Sequence, residues 1–267
     1  MLEKEEKSSQ TDQTCEILKE FKKHTGLRDV RFTLAVGSGK GGVGKTTISA
    51  IIGLALKEAG YSVGIFDLDF YGPNTNLVLG IKDKKPVVEF GKIKPVIGPK
   101  GIKILSLALM ISESEPIFMR GLMASKFLQE LLGKVEWGPL DFLILDLPPG
   151  TGDVFLTVLD LFALDGFILV TTSHKLSLAD AKRTLVILKE KRVPVLGIVK
   201  NMDKLFEDEK SFYEFIEKMK LPLLFELPFL QELSFCDSLA EVFLLPEKRD
   251  ILKTVEEKIL AQIFRFR

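Results

Sequence analysis

The chain has 267 residues, in which 37 lysine and arginine residues balance 37 aspartate and glutamate residues. This neutral balance argues against nucleic acid as a partner and against attachment to an anionic membrane, because no bulk charge attracts either. The length and the hydrophobic content of 46% suit one large α/β domain, while the two cysteines and the lack of an apolar signal sequence predict a cytoplasmic protein.

The N-terminal residues differ in character from the rest of the chain. Residues 1–14 are polar and predict a frayed tail, whereas residues 17–27 carry a modest apolar stripe at helical spacing. The stripe predicts a helix packed on the edge of the domain, and an arm that docks a partner is the alternative. We therefore expect a tail and edge helix over residues 1–30, followed by the main domain over residues 31–267.

A glycine-rich stretch, GSGKGGVGKTT (residues 37–47), lies between an apolar strand-like run at 32–36 and an apolar helix-like run at 48–57. From Gly39 onward it fits the pattern of a glycine, four residues and then Gly-Lys-Thr. Glycines allow backbone N–H groups to surround phosphate oxygens, and a helix start adds positive potential. The stretch therefore predicts a nucleotide-binding loop, with a ligand-free glycine turn as the alternative.

Nine residues of this loop are predicted to contact the nucleotide: Gly39, Lys40, Gly41, Gly42, Val43, Gly44, Lys45, Thr46 and Thr47. Lys45 is expected to reach the β- and γ-phosphates of ATP and to act in catalysis. The Thr46 hydroxyl is expected to be a ligand of Mg²⁺.

Lys40 is a second lysine within the loop, and KGGVGKTT (residues 40–47) resembles the deviant loop of the MinD/ParA/Mrp group of P-loop ATPases. The resemblance implies that the chain forms a homodimer on binding ATP, in which Lys40 reaches the partner's nucleotide. A cation delivered in this way stabilises the charge that develops during phosphoryl transfer, so Lys40 is a predicted catalytic residue. The alternative is that Lys40 acts only on its own phosphate site.

Two carboxylates, Asp67 and Asp69, follow a predicted strand at residues 62–66. The carboxyl ends of parallel strands face the ligand crevice, so both side chains are expected beside the phosphates. Asp69 is predicted to orient the attacking water, and Asp67 to support the Mg²⁺ shell. The segment DLDFYGPN (residues 67–74) also resembles switch I of Mrp-type ATPases. A solvated loop is the alternative.

Lysines dominate residues 81–105, which also contain β-like runs at 87–90 and 103–107. We predict a lysine-rich hairpin that leaves the main sheet. Such charge is typical of a solvated edge that is blocked against aggregation. A docking surface for an acidic partner is the alternative.

A second candidate metal ligand, Asp146, ends an apolar strand predicted at residues 140–145, after an amphipathic helix predicted at 120–133. Asp146 is expected to hold Mg²⁺ through water. The segment that follows is predicted to form a two-state switch II, in which glycine N–H groups turn toward the γ-phosphate. Its key residues are Pro149, Gly150 and Gly152.

The segments FMRG (118–121), VEWG (135–138) and DLPPGTGD (146–153) resemble the Mrp/ApbC family of iron–sulfur carrier ATPases, and the similarity runs from about residue 32 to 246. The resemblance implies a three-layer α/β P-loop NTPase fold, with a mostly parallel sheet and helices on both faces. It also implies a slow, Mg²⁺-dependent ATPase that is activated by dimerisation. Three further residues are implied to contact the base: Asn201 at its adenine edge, and Pro228 and Phe229 in the loop above it.

One departure from the family concerns the metal. Carriers in the family follow the Asn-Met pair with a Cys-x-x-Cys motif, whereas residues 201–209 contain no cysteine here. A cluster of this kind requires soft thiolate ligands, so we expect no iron–sulfur cluster on this chain. The favoured hypothesis is a switch in metallocentre assembly, for iron–sulfur or nickel, that acts on a metallochaperone or metalloprotein client. A MinD-type ATPase of nickel–hydrogenase maturation is its sharper form.

Two other hypotheses remain open at this point. One is an iron–sulfur carrier with unconventional ligands, and the other is a positioning ATPase like MinD or ParA. The positioning function requires a membrane-seeking helix, and residues 250–267 place Ile251, Val255, Ile259 and Ile263 on one face. We expect this helix to dock on the core, with membrane attachment as the alternative.

Overall fold

The computed structural model describes residues 27–69, 72, 74–81, 84–106, 109–110, 121–205, 209–243 and 245–265. The predicted N-terminal tail and most of its edge helix lie outside these residues. So do parts of the predicted switch I segment and of the FMRG motif.

Eight strands of the described part of the chain form one sheet in the order β10-β9-β8-β1-β7-β2-β6-β5, parallel except for β5. β3 and β4 form a separate antiparallel pair. The central strands are continuous apolar runs, because a parallel sheet is covered on both faces. The bounds are β1 (Val30–Gly37), β2 (Val63–Asp67), β3 (Val87–Glu89), β4 (Lys92–Lys94), β5 (Val96–Ile97), β6 (Lys103–Ser106), β7 (Leu140–Asp146), β8 (Gly166–Thr171), β9 (Val195–Asp203) and β10 (Leu223–Pro228).

Helices cover both faces of this sheet. The described α-helices are α1 (Lys45–Glu58), α2 (Thr75–Val78), α3 (Gly121–Lys134), α4 (Asp153–Leu161), α5 (Lys175–Glu190), α6 (Glu209–Met219), α7 (Leu239–Phe243) and α8 (Arg249–Arg265). The apolar faces of α1, α7 and α8 share one core with the sheet. Those of α3, α4, α5 and α6 share the other. The predicted three-layer α/β fold is therefore confirmed.

The C-terminal helix α8 packs on the core. Its buried stripe is Leu252, Val255, Ile259 and Ile263, which lie in the same apolar core as the buried isoleucines of α1. Burial of such side chains contributes about 1.5–3 kcal/mol each. The expected docking is thus seen, with Leu252 in place of Ile251 at the start of the stripe. Within the described ranges, no helix has the length and apolarity needed to cross a membrane.

The predicted excursion over residues 81–105 is wrong in its second half. Strands β3 and β4 do form a hairpin, in which Val88 lies opposite Ile93. Strand β6, however, joins the main sheet parallel to β2, and its Ile104 and Leu105 are buried in the two opposite cores. A strand with apolar side chains on both faces is stabilised inside a covered sheet, which is why β6 is not the exposed arm of a hairpin.

The sheet brings the predicted site residues to one edge. β7 lies between β1 and β2, and Asp146 is paired in register with Val36 on one side and Asp67 on the other. The glycine-rich loop begins where β1 ends. The carboxyl ends of these three strands therefore line one crevice.

Candidate functional site

The loop between β1 and α1 has a conformation that requires glycine. Gly42 and Gly44 adopt φ values of 78° and 80°, in the left-handed region. A Cβ at Gly39 would lie 2.3 Å from the carbonyl carbon of Asp180 in α5, so only glycine allows this approach. The backbone is therefore shaped both by its own turns and by a neighbouring helix.

The first turns of α1 place three polar side chains on Asp146. The Lys45 Nζ lies 2.7 Å from one carboxylate oxygen, to which Ser49 also donates, and the Thr46 hydroxyl donates to the other at 2.7 Å. Asp146 is fully buried. The structure thus brings together Lys45, Thr46 and Asp146, as the sequence predicted. Ser49 was missed, although it lies one turn after Lys45 on the same helix face.

Asp67 and Asp69 both lie in this crevice, with different surroundings. The Asp67 carboxylate accepts hydrogen bonds from the backbone N–H groups of Asp69 and Thr75, at 3.1 and 3.2 Å, and from the Ser106 hydroxyl at 3.0 Å. Burial, followed by the nearby Asp146 charge, raises the pKa of Asp67 from 3.8 to about 7, although the Lys45 charge opposes this.

These contacts show that Asp67 organises the segment after β2, and its place in the metal shell stays a prediction. Asp69 is 8% exposed and lines the cavity that also contains Lys45 and Thr46. One of its carboxylate oxygens accepts the Gly72 N–H at 3.2 Å.

The donor atoms around Asp146 fit Mg²⁺. This ion prefers oxygen ligands, usually one or two protein groups together with water and phosphate oxygens. The Thr46 hydroxyl and the Asp146 carboxylate supply such oxygens beside the phosphate loop, with Lys45 adjacent. The residues present are therefore suited to this metal.

Two adjoining cavities share Gly44 and Thr47 and differ in chemistry. One, of about 450 Å³, is lined by the glycine loop, Lys45, Thr46 and Asp69. The other, of about 200 Å³, is largely apolar, and its lining includes Asn201, Met202, Leu227, Pro228, Phe229, Leu230 and Leu233. A polar cavity at a helix start joined to an apolar cavity matches the two ends of a nucleotide.

Asn201 supports the loop as well as lining the apolar cavity. Its Nδ2 donates to the Val43 carbonyl at 2.8 Å, and it would lie 2.1 Å from a Cβ at Gly44. The amide oxygen and the second N–H are suited to an adenine edge. Phe229 is 43% exposed at the mouth of the same cavity. The predicted base contacts therefore stay predictions, on residues that do meet at one cavity.

The predicted switch II segment is tied to the phosphate loop in this structure. The Gly150 N–H donates to the Ser38 carbonyl at 2.9 Å, with Gly150 at a φ of 82°. This bond gives one arrangement of the segment, and the predicted contact of the Gly150 N–H with a γ-phosphate stays a prediction. Pro149 and Lys40 are exposed and line the phosphate cavity, and Gly152 immediately precedes α4.

A buried lysine near the site was missed by sequence reasoning. Lys200 is 0% exposed, contacts Glu209, and lies 2.6 Å from Asp203 and 3.3 Å from Glu226. Its ammonium also lies 5.0 Å from the Phe212 ring centre. Burial lowers the pKa of Lys200, but the hydrogen bonds with Asp203 and Glu209 outweigh burial and raise that pKa above its ordinary value. The sequence feature that could have indicated this buried residue is a single lysine within the apolar run of β9.

We expect Lys200→Met to lower the free energy of unfolding by about 1–2 kcal/mol, since three part-exposed carboxylates would lose their shared cation. Chemical denaturation followed by circular dichroism measures this. Lys210→Met is the matched control, because Lys210 is exposed and, among the described residues, forms an ion pair with the exposed Glu214. Equal stability of the two variants would contradict a stabilising role for the buried cluster.

Comparisons with known proteins agree with this geometry. The family model described as ParA, NUBPL iron-transfer P-loop NTPase, matches residues 29–264. An iron–sulfur cluster carrier protein of Aquifex aeolicus is 44% identical over 190 residues, which are 70% of this chain and 52% of that relative. One of Rickettsia felis is 38% identical over 226 residues, covering 83% of this chain and 70% of the relative. The chain thus spans about half the length of the Aquifex protein.

Solved structures show the same architecture. A nucleotide-binding protein of Archaeoglobus fulgidus in complex with ADP has 32% identity and a TM-score of 0.68, covering 89% of this chain and 91% of its own. MinD of Pyrococcus horikoshii with Mg-ADP shares the fold, with 23% identity and a TM-score of 0.70 over 87% and 97% of the two chains. The chain therefore belongs to the ParA-type family of NUBPL iron-transfer P-loop NTPases.

Proposed function

We propose that this chain is an ATP-hydrolysing, dimeric P-loop switch in metallocentre assembly, which acts on a partner that holds the metal. The convergence of Lys45, Thr46 and Asp146 below a glycine loop, beside an apolar cavity, is the observation that carries the nucleotide part. Family membership and the names of the relatives support the metallocentre part.

The phosphate end of the site follows from these contacts. Lys45 supplies a cation to the β- and γ-phosphates, and the loop N–H groups surround their oxygens. Thr46 and Asp146 hold Mg²⁺, which neutralises phosphate charge when bound. Asp69 lines the same cavity and orients the attacking water. Asn201, Pro228 and Phe229 hold the base.

Dimerisation completes the site in this proposal. Lys40 is exposed at the rim of the phosphate cavity, where its own site leaves it accessible to a second copy. The lysine of each protomer then stabilises charge on the partner's nucleotide. The Gly150 N–H can donate either to the Ser38 carbonyl, as it does here, or to a γ-phosphate. Binding of ATP would therefore release Gly150 from Ser38 and change the conformation of switch II.

The cargo is held by the client rather than by this chain. Residues 201–209 contain no cysteine, so this segment lacks the soft thiolate pair that a cluster requires. Cys236 lies 3.7 Å from the Leu233 carbonyl, and burial raises the pKa of its thiol, which disfavours the thiolate that binds metal. Both features disfavour Cys236 as a cluster ligand and support a partner as the holder of the metal.

A second candidate function, an iron–sulfur carrier with unconventional ligands, is favoured by the names of the relatives. Anaerobic reconstitution with iron and sulfide separates the two. Stoichiometric bound iron with the visible absorption of a cluster on the purified chain would favour the carrier. A positioning function lacks comparable support, because the apolar stripe of α8 is buried in the core.

We expect Asp69→Ala to bind ATP, to lose about 10²-fold or more in turnover and to accumulate ATP-bound dimers, because water is no longer oriented. Size-exclusion chromatography with light scattering and a phosphate-release assay measure both. Asp160→Ala is the control, since Asp160 is exposed and pairs with Lys191 away from the cavity. Normal turnover of Asp69→Ala would remove the proposed role.

The trapped variant also tests the client. Asp69→Ala with ATP is used to isolate partners from native lysate, followed by metal analysis of the complex. The proposal predicts that metal accompanies the partner and is absent from the chain alone. Metal bound to the chain alone would contradict it.

A further inference from the structure

A second large cavity lies at the end of the sheet opposite the nucleotide site. We call it the basal groove; its volume is about 850 Å³. Its lining residues include Arg28 and Asp29, which precede β1, and Lys103, which begins β6. The nucleotide loop follows the other end of β1, and eight strand residues span about 26 Å. The groove is thus separate from the site described above.

The groove has an apolar lining. Trp137 is 1% exposed and lies beside Val135, while Val87 and Ile97 are each 52% exposed along the wall. The indole N–H of Trp137 is buried and has no hydrogen-bond partner among the described residues. A buried donor in that state costs about 1–3 kcal/mol. The apolar surface that a ligand in the groove can contact is that of Val87 and Ile97, while Trp137 packs behind the wall.

The charge of the groove is positive. Four cations line it, against the carboxylates of Asp29 and Glu136; they are Arg28, Lys92, Lys94 and Lys103. The segment 84–106 holds six lysines and one glutamate, a net charge of +5 in a chain whose total is zero. Lys92 and Lys103 each donate to a backbone carbonyl of the lining, which orients them at the groove. An ammonium has three donors, so further bonds remain for a ligand.

The β3–β4 hairpin that forms one wall exposes apolar surface. In the described part of the chain, β3 pairs with β4 alone, which leaves its outer edge open. Val88 is 65% exposed, and Phe90 is fully exposed at a φ of 50°, a conformation that bulky residues rarely adopt. An open, apolar edge is a liability for solubility unless something covers it. A strained, exposed aromatic residue at the tip is typical of a contact residue.

We propose that the basal groove and the β3–β4 hairpin bind an acidic segment of a protein partner, whose apolar side chains lie against Val87 and Ile97. Its carboxylates pair with Lys92, Lys94 and Lys103. The four cations of the lining, against two carboxylates, and the exposed apolar side chains together favour this chemistry, because neither a purely polar anion nor a neutral apolar ligand satisfies both. The proposal does not depend on ATP binding or on a metal client.

The test uses the full chain and a fluorescein-labelled peptide of alternating glutamate and leucine, followed by fluorescence polarisation. Trp137 is the single tryptophan of the chain, so its emission reports occupancy of the groove directly. We expect binding that changes the Trp137 emission and that Lys92→Glu/Lys94→Glu weakens at least about tenfold. Lys210→Glu is the matched control, because Lys210, like Lys94, pairs with a single exposed glutamate. It should change binding less than about twofold.

Three results would overturn the proposal. The first is equal binding of a peptide with lysine in place of glutamate. The second is sedimentation with phosphatidylserine vesicles that depends on Lys92 and Lys94 while the acidic peptide fails to bind, which would indicate a membrane. The third concerns the double variant Ile17→Ser/Phe21→Ser in the N-terminal segment. If this variant changed the Trp137 emission and bound the peptide more tightly, the chain's own N-terminal segment would be the occupant. ATP turnover of the Lys92→Glu/Lys94→Glu variant is measured in parallel and should be normal. Failure of the groove proposal can then be told apart from failure of the proposed ATPase function.

Discussion

Replacing Lys45 with alanine is expected to reduce ATP turnover by about 10²–10³-fold, because one preorganised cation is removed from the site of developing phosphate charge. The same change leaves Asp146 fully buried beside Asp67 without its counter-ion. A loss of about 3 kcal/mol in the free energy of unfolding should accompany it. Phosphate release and chemical denaturation measure the two effects separately.

Two further variants separate catalysis from stability. Lys45→Arg keeps a cation beside Asp146, so it should recover most of the stability but little of the turnover, since the guanidinium has a different shape. Lys57→Ala lies in the last turn of the same helix, away from the cavity, and should change neither quantity. If Lys45→Ala hydrolysed ATP at the normal rate, the phosphate role of Lys45 would be wrong.

Replacing Lys40 with alanine is expected to preserve nucleotide affinity within about threefold while abolishing ATP-dependent dimerisation and lowering turnover by about 10³-fold. The reason is that Lys40 is exposed at the cavity rim and makes its proposed contact in the second protomer. Calorimetric titration of ATP measures the affinity, light scattering with a non-hydrolysable analogue measures dimerisation, and phosphate release measures turnover.

Mixing experiments test whether this contribution comes from the partner. A chain with Lys40→Ala and a chain with Asp69→Ala should regain part of the turnover when mixed, because one of the two sites in the mixed dimer is then intact. Lys253→Ala, an exposed position on α8, is the control and should behave as the unaltered chain. Full activity of Lys40→Ala alone would show that Lys40 serves only its own site or none.

The proposed switch and the proposed groove occupy opposite ends of the same strands. β1 leads from Arg28 and Asp29 at the groove to Gly37 at the nucleotide loop, and β6 begins with Lys103 at the groove. A partner bound at the groove therefore leaves the crevice open to ATP and to a second copy. This arrangement separates recognition of a partner from the nucleotide cycle.

Much of the fold was predictable because its signals are local. The apolar runs that correspond to β1, β2 and β7, the glycine pattern at 39–47 and the aspartates at strand ends all follow from short stretches of sequence. In a parallel sheet, such strand ends meet at one edge, so the meeting of Lys45, Thr46 and Asp146 also followed.

Other features depend on residues that are distant in sequence. Ser106 donates to Asp67 across 39 positions, and the Gly150 N–H donates to the Ser38 carbonyl across two loops. The three acidic partners of Lys200 come from β9, α6 and β10. No spacing in the sequence encodes these contacts, since each requires the layers to be packed first.

The phosphate loop, the alternation of strands and helices, and the lack of a Cys-x-x-Cys pair can thus be read from the amino-acid sequence, because glycine conformation, apolar periodicity and ligand chemistry are properties of single segments. The folded arrangement was needed to show that β6 belongs to the main sheet and that Lys200 is buried among carboxylates. It also decided that Arg28, Trp137 and the β3–β4 hairpin enclose a groove. These outcomes depend on which faces of the strands are covered by helices, and that is decided by the long-range packing of both helix layers on the sheet.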